Sequence, residues 1–269
     1  MSILGDPNYG RIRQLTKEAL ERMSDSDLLL SYTVLDVEFE FPECVKYPNI
    51  PTRVDDNVDI YALKGRSCIT GSEYLVARNK GCRITLVEGV QVPFLKNEGE
   101  EPSSEEDYNI LYKTPFRHII KELQAKRRKE AKKSFYNLMY KQIGNSIYGQ
   151  VSMGLSGKNR YDVKTDSFVR IPGGTLSNPV MASYITGFTR ALLGECLNNI
   201  QALGGKVVSC TTDGFITDVE NLEEKLLKLE GIQCLKLFRQ MRRLLTEGDS
   251  RPDPSALEVK NIENQGLLS

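Results

Sequence analysis

The sequence has no tryptophan, one histidine and no net charge. With 36 Lys and Arg against 36 Asp and Glu, the whole chain has no charge excess with which to attract a polyanion. Any hold on nucleic acid must come from local clusters. His118 is the lone histidine, and Cys44, Cys68, Cys82, Cys196, Cys210 and Cys234 form no C-x-x-C pair. That spacing argues against a zinc site, and the thiols are expected to be reduced and mostly buried. No apolar run is long enough to span a bilayer. Met1-Ser-Ile-Leu-Gly-Asp-Pro lacks the basic and apolar regions of a signal peptide. These absences lead to the expectation of a soluble, intracellular protein with no membrane partner. The 269 residues suffice for one large domain or two modest ones.

Hydrophobic periodicity organises what is present. Residues 9–30 have helical spacing, with Leu15, Leu20 and Met23 on one side. Leu35, Val37, Phe39 and Phe41 alternate with acids, the pattern of a half-buried strand over 34–41. Residues 57–94 read as short strands around a helix near Ser72–Asn79, with Gly89 as a turn or bulge. Lys96–Tyr108 is acidic and reads as a surface loop or boundary. One or two long helices are expected over 116–148, then irregular or β structure over 149–177. Asn178-Pro179 predicts a helix start, with Asn as cap and Pro at the first position, and Gly204-Gly205 predicts its end. Thr211-Thr-Asp-Gly214 between two apolar stretches predicts a tight hairpin. A charged helix is expected over 221–247, and a short strand at Leu257–Val259.

The chemistry concentrates in two places. On a helix over 131–149, Lys141, Asn145 and Tyr148 are spaced i, i+4, i+7 and share one face. An ammonium, an amide and a ring suit a nucleotide, neutralising phosphate and offering a flat surface to a base pair. A partly exposed helix with an aromatic anchor is the alternative. Upstream, Lys121, Lys126-Arg127-Arg128-Lys129 and Lys132-Lys133 form a basic run. It is either solvated helix surface or a source of salt-dependent attraction to nucleic acid.

Lys141-x3-Asn145-Ser146-x-Tyr148-Gly149 resembles motif B of family B DNA polymerases. The resemblance implies a fingers helix facing the incoming nucleotide. Lys141 would contact the triphosphate, Asn145 and Ser146 would face the nucleotide pocket, and Tyr148 with Gly149 would floor the nascent base pair. Arg128 and Lys132, taken as an i, i+4 pair, or Arg127, would add phosphate contacts. Thr211-Thr212-Asp213-Gly214 resembles motif C, usually Asp-Thr-Asp-Ser on a β-turn-β hairpin. Here Thr211 replaces the first aspartate and Asp213 keeps the second, a variant similar to organellar, viral and plasmid-type enzymes. Phe41–Arg53, Thr70–Leu75, Ser177–Gly187 and Leu257–Lys260 resemble further segments of that branch.

What the resemblance implies is an α/β (α+β) fold, with an antiparallel palm sheet, packed helices and a helical fingers hairpin. Residues 1–110 would be palm with a possible insertion, 111–149 the fingers with motif B, and 150–269 palm with motif C, ending before the thumb. The implied activity is DNA-directed DNA polymerisation with two Mg2+ ions, Asp213 and Lys141 being the catalytic candidates and Asp213 the metal ligand. The implied partners are primer-template DNA, deoxynucleoside triphosphates, and another chain or segment carrying motif A, exonuclease or thumb. A motif A aspartate is missing from its usual context. Asp36, beside Glu38 and Glu40 on an alternating strand, reads as a solvent-facing acid, and the better alignment places motif A upstream of Met1, with residues 1–5 continuing the helix after it. A fragment, a split-polymerase subunit, and a non-catalytic polymerase-like binding module all remain open.

Overall fold

The computed structural model of the protein describes residues 4–55, 58–97, 112–155, 157, 159–211, 214–246 and 255–257. Its N-terminal part corrects the expectation of one helix over 9–30. A 3-10 turn (Tyr9–Arg11) leads into β1 (Arg13–Gln14), α1 (Lys17–Glu21) and α2 (Asp25–Leu29). Two caps impose the breaks. Thr16 Oγ1 accepts the Ala19 N–H at 3.2 Å, and Ser24 with Asp27 closes a reciprocal capping box. Leu15, Leu20 and Met23 still enter the core. The helix expected over residues 1–5 is corrected where it is described: Leu4 and Gly5 are not helical, and residues 1–3 lie outside the described residues.

β2 (Ser31–Glu40) follows the predicted alternation, burying Leu35, Val37 and Phe39 and turning Asp36, Glu38 and Glu40 outward. Each buried aliphatic or aromatic side chain of this kind contributes roughly 1.5–3 kcal/mol. β3 (Thr52–Asp55) and β4 (Val58–Ile60) pair with each other. β5 (Lys64–Thr70), α3 (Gly71–Asn79) and β6 (Arg83–Pro93) follow. The central antiparallel sheet has the order β1-β6-β2-β5. Its bulge falls at Val87, which the register skips between Leu86 and Glu88. Gly89 lies in the ladder opposite Leu35, where a Cβ would stand 2.8 Å from Leu35 Cδ2.

The second half is mostly helical. It comprises α4 (Arg117–Lys129), α5 (Phe135–Val151), the hairpin β7 (Asn159–Asp162) and β8 (Ser167–Arg170), α6 (Pro179–Ala202), the hairpin β9 (Val207–Cys210) and β10 (Phe215–Thr217), α7 (Leu222–Leu227) and α8 (Cys234–Thr246). Asn178 caps α6 as predicted, its Oδ1 accepting the Met181 N–H at 3.2 Å. The charged helix expected over 221–247 is two helices, because Gly231 takes φ +73° between them. The strand expected at Leu257–Val259 lies beyond the described residues, except for Leu257, which is in a bend.

α6 is the axis of the core. Its Tyr184 hydroxyl donates to Leu29 O at 2.6 Å, and its ring lies edge-on to Tyr32 at 5.6 Å. Gly187 lets α6 close on the first turn of α3, since a Cβ there would stand 2.8 Å from Glu73 Oε2. Among the described residues no helix is long and apolar enough to cross a membrane. All six cysteines are free. The expectation that they are mostly buried is corrected, because only Cys196 and Cys234 are buried, while Cys44, Cys68 and Cys210 are exposed.

Candidate functional site

The polar stripe sits on the second arm of a helical hairpin. α4 ends at Lys129, and Ser134 caps α5 by accepting the Asn137 N–H on Oγ at 3.3 Å. Asn137 then donates from Nδ2 to Arg127 O at 3.0 Å, tying the first turn of one helix to the last turn of the other. Lys133 reverses the chain with φ +68°. The expected helix over 131–149 therefore starts four residues late, at Phe135. One consequence corrects a predicted pair. Arg128 lies in the last turn of α4 and donates to Gln124 Oε1 at 3.3 Å, whereas Lys132 is in the turn, so the two share no helix face.

Lys141, Asn145, Ser146, Tyr148 and Gly149 all lie within α5. At 100° per residue, Lys141, Asn145 and Tyr148 fall within an arc of about 60°. Lys141, Asn145, Ser146 and Gly149 are exposed and Tyr148 is half-buried. Ser146 Oγ donates to Gln142 O at 2.8 Å. Among the described residues the side chains of Lys141, Asn145 and Tyr148 have no hydrogen-bond or ion-pair partner. A Cβ added at Gly149 would meet nothing within 4 Å. This face thus offers an ammonium, an amide and half a phenol ring to whatever approaches, with no bulk at Gly149 to hold it off.

The predicted hairpin is present. β9 and β10 pair with Cys210 opposite Phe215, and Thr211 closes the turn by donating its N–H to Gly214 O at 2.8 Å and its Oγ1 to the same oxygen at 3.1 Å. Thr212 and Asp213 lie outside the described residues. The hairpin is a separate two-stranded sheet and is not hydrogen-bonded into the central one. α6 is what relates it to α5. Asn178 N donates to Val151 O at 2.9 Å, joining the end of α5 to the start of α6, and β9 packs on α6. Among the described residues no three His, Cys, Asp or Glu side chains gather as a metal site.

Asp36 takes the place expected for a surface acid. Arg66 on the neighbouring strand donates to both of its oxygens, at 3.1 and 2.6 Å. The Arg66 hydrogen bonds hold the Asp36 carboxyl below its ordinary range. A carboxylate so engaged has less capacity left for a metal ion.

Sequence reasoning missed Arg190. It lies on α6, and its Nε donates to Glu73 Oε1 at 2.7 Å, with the Glu73 side chain fully buried. Burial pulls the guanidinium down, but the Glu73 carboxylate more than offsets this and holds it above its ordinary range. Arg190 and Cys210 of β9 both act electrostatically on Tyr61, whose phenol is raised chiefly by burial. The available signal was an arginine three residues after Gly187, in a helix whose one other charged residue is Glu195.

The chain is 32% identical over 212 residues to the primer-independent DNA polymerase PolB of Escherichia coli, a stretch covering 79% of this chain and 23% of that protein. The chain thus spans about a quarter of the relative's length, and over that span it is similar to a DNA polymerase. No family model matches the chain, and no solved structure matches it.

Proposed function

We propose that this chain is the nucleotide-facing part of a family B DNA polymerase, a template-directed deoxynucleotidyltransferase of the organellar, viral and plasmid-type branch. The observation that carries the reading is the open face of α5, where Lys141, Asn145 and Tyr148 have no partner among the described residues. The similarity to a DNA polymerase supports it. Lys141 binds the triphosphate as a point charge. Tyr148 supports the nascent base pair, and Gly149 lets that pair approach the helix. Asn145 and Ser146 complete the rim of the pocket. Arg128 at the end of α4 and Lys132 in the turn supply phosphate contacts separately rather than as a helix pair.

Two Mg2+ ions would activate the primer hydroxyl and neutralise the departing pyrophosphate. Oxygen donors are what Mg2+ prefers, and Asp213 is the one carboxylate this reading assigns to it here. Thr211, where the family pattern has the other carboxylate, is spent on closing the turn through Gly214 O. The described residues contain no second set that fits the ions. This reading assigns the missing carboxylate to another segment or chain.

A second reading is a non-catalytic, polymerase-like binding module, and Thr211 in place of a carboxylate favours it. Extension of a labelled primer-template separates the two. The chain is assayed with and without a second chain carrying the motif A segment, and with the primer omitted, because the relative is named for primer independence. Extension that requires Asp213 and falls at least a hundredfold in Lys141→Ala supports the polymerase. Template binding with no extension under any of these conditions supports the module.

A further inference from the structure

The end of the α4–α5 hairpin carries two aromatic rings that the nucleotide-facing reading does not use, although it shares Lys132 with that reading. Phe135 is 73% exposed and Tyr136 54% exposed, their ring centroids 5.4 Å apart at an interplanar angle of 75°. Phe135 precedes Lys141 by six residues, which puts it about 9 Å along the axis and about 120° around it. The two features are therefore separate on the same helix. Aromatic rings left in water forgo the burial that normally drives their placement.

Four exposed cations lie within eight residues before these rings. Arg127 and Lys129 end α4, and Lys132 and Lys133 lie in the turn, all exposed. The Asn137–Arg127 hydrogen bond holds this last turn of α4 level with Phe135 and Tyr136. None of the four has an ion pair among the described residues, in contrast to Lys126, which pairs with Glu122 at 2.6 Å. A helix C-terminus favours cations through its dipole, which accounts for Arg127 and Lys129. Lys132 and Lys133 lie beyond the helix, so that account does not reach them. In a chain of zero net charge, unpaired cations flanking two exposed rings form a local complement to a polyanion with exposed bases.

We propose that this tip is an accessory site for single-stranded nucleic acid. Phe135 and Tyr136 stack against unpaired bases, and Arg127, Lys129, Lys132 and Lys133 hold the flanking phosphates. Stacking tolerates any base, so the site is not sequence-specific. A duplex hides its base faces and meets only the cations.

The test measures anisotropy of a fluorescein-labelled 20-nucleotide oligothymidylate, and of a duplex of equal length, with the full chain. The double variant Phe135→Ala/Tyr136→Ala is expected to weaken single-strand binding about tenfold or more, with duplex binding unchanged. Lys132→Gln/Lys133→Gln is expected to weaken both and to flatten the single-strand salt dependence by about 1.4 in log–log slope. All replaced side chains are exposed, and circular dichroism checks that the variants fold. Single-strand affinity unmoved by the aromatic variant overturns the proposal, as it would if the rings are instead covered by another protein surface. An equal loss on duplex, or no binding by the unaltered chain, also overturns it. Triphosphate binding by the aromatic variant is expected to stay at the unaltered level, so failure of this site and failure of the α5 nucleotide face are read separately.

Discussion

Replacing Glu195 with alanine should detach the start of α8 from α6. The Glu195 side chain is buried in α6, with the residue 2% exposed. Its Oε1 accepts the N–H groups of Gln233 at 2.9 Å and Cys234 at 3.1 Å, and its Oε2 accepts that of Leu235 at 2.9 Å. These are donors that a helix start leaves without an intrahelical partner. Hydrogen bonds to a charged acceptor contribute about 1.5–3 kcal/mol each. The low end applies, because burial pushes the Glu195 carboxyl above its ordinary range despite the three N–H groups pulling it down. Three bonds at about 1.5 kcal/mol give a loss of about 4.5 kcal/mol for Glu195→Ala. Glu195→Gln keeps one carbonyl acceptor and should lose about half as much. Urea unfolding followed by circular dichroism measures both losses, and amide exchange at Cys234 and Leu235 localises them. The pH dependence carries a sign. A raised carboxyl binds its proton more tightly when folded, so stability should fall as pH rises from the unfolded carboxyl pKa through the folded one. The unaltered chain should show that slope and Glu195→Gln should lack it. A loss below about 1 kcal/mol for Glu195→Ala, or unchanged exchange at the start of α8, would refute the capping role.

The remaining predictions concern α6 and the central sheet. Gly187→Ala places a methyl against Thr70 and Glu73 where both are buried and hydrogen-bonded, and it should destabilise the chain by about 1–3 kcal/mol in the same unfolding assay; an unchanged midpoint would show that α6 and α3 can part freely. Asp36→Asn removes a surface pair with Arg66, whose side chain is 57% exposed, so unfolding at neutral pH should barely change. Because the Asp36 carboxyl is held low, whatever it contributes is present above the unfolded pKa and is lost as pH falls through the folded one. Asp36→Asn should also leave primer extension intact in the reconstituted assay, and abolished extension would identify Asp36 as the missing catalytic carboxylate.

Legibility in the sequence followed the range of the forces involved. The alternation of β2, the Asn178-Pro179 start of α6 and the pairing of β9 with β10 are set by neighbours a few residues apart, and all three are present. Errors arose where local signals competed. Apolar spacing over 9–30 suggested one helix, but Thr16 and Ser24 cap two short ones. Ser134 likewise delayed α5 and separated Arg128 from Lys132. Glycine conformation was only partly legible, since Gly231 breaks a helix with positive φ whereas Gly89 serves close packing inside a strand.

The sequence by itself determined which chemistry is carried: the Lys141, Asn145 and Tyr148 spacing, the Thr211 departure, and the local charge in a chain of no net charge. Helix periodicity is a property of consecutive residues, so these features needed no fold to be recognised. Only the tertiary structure decided which groups are free to act. It occupied Asp36 with Arg66, enclosed Glu73 with Arg190, turned Glu195 onto the start of α8, and left the α5 face and the Phe135–Tyr136 tip exposed. These outcomes join residues 30, 117 and 40 positions apart. A side chain's availability depends on which distant segment packs against it, and local spacing carries no record of that.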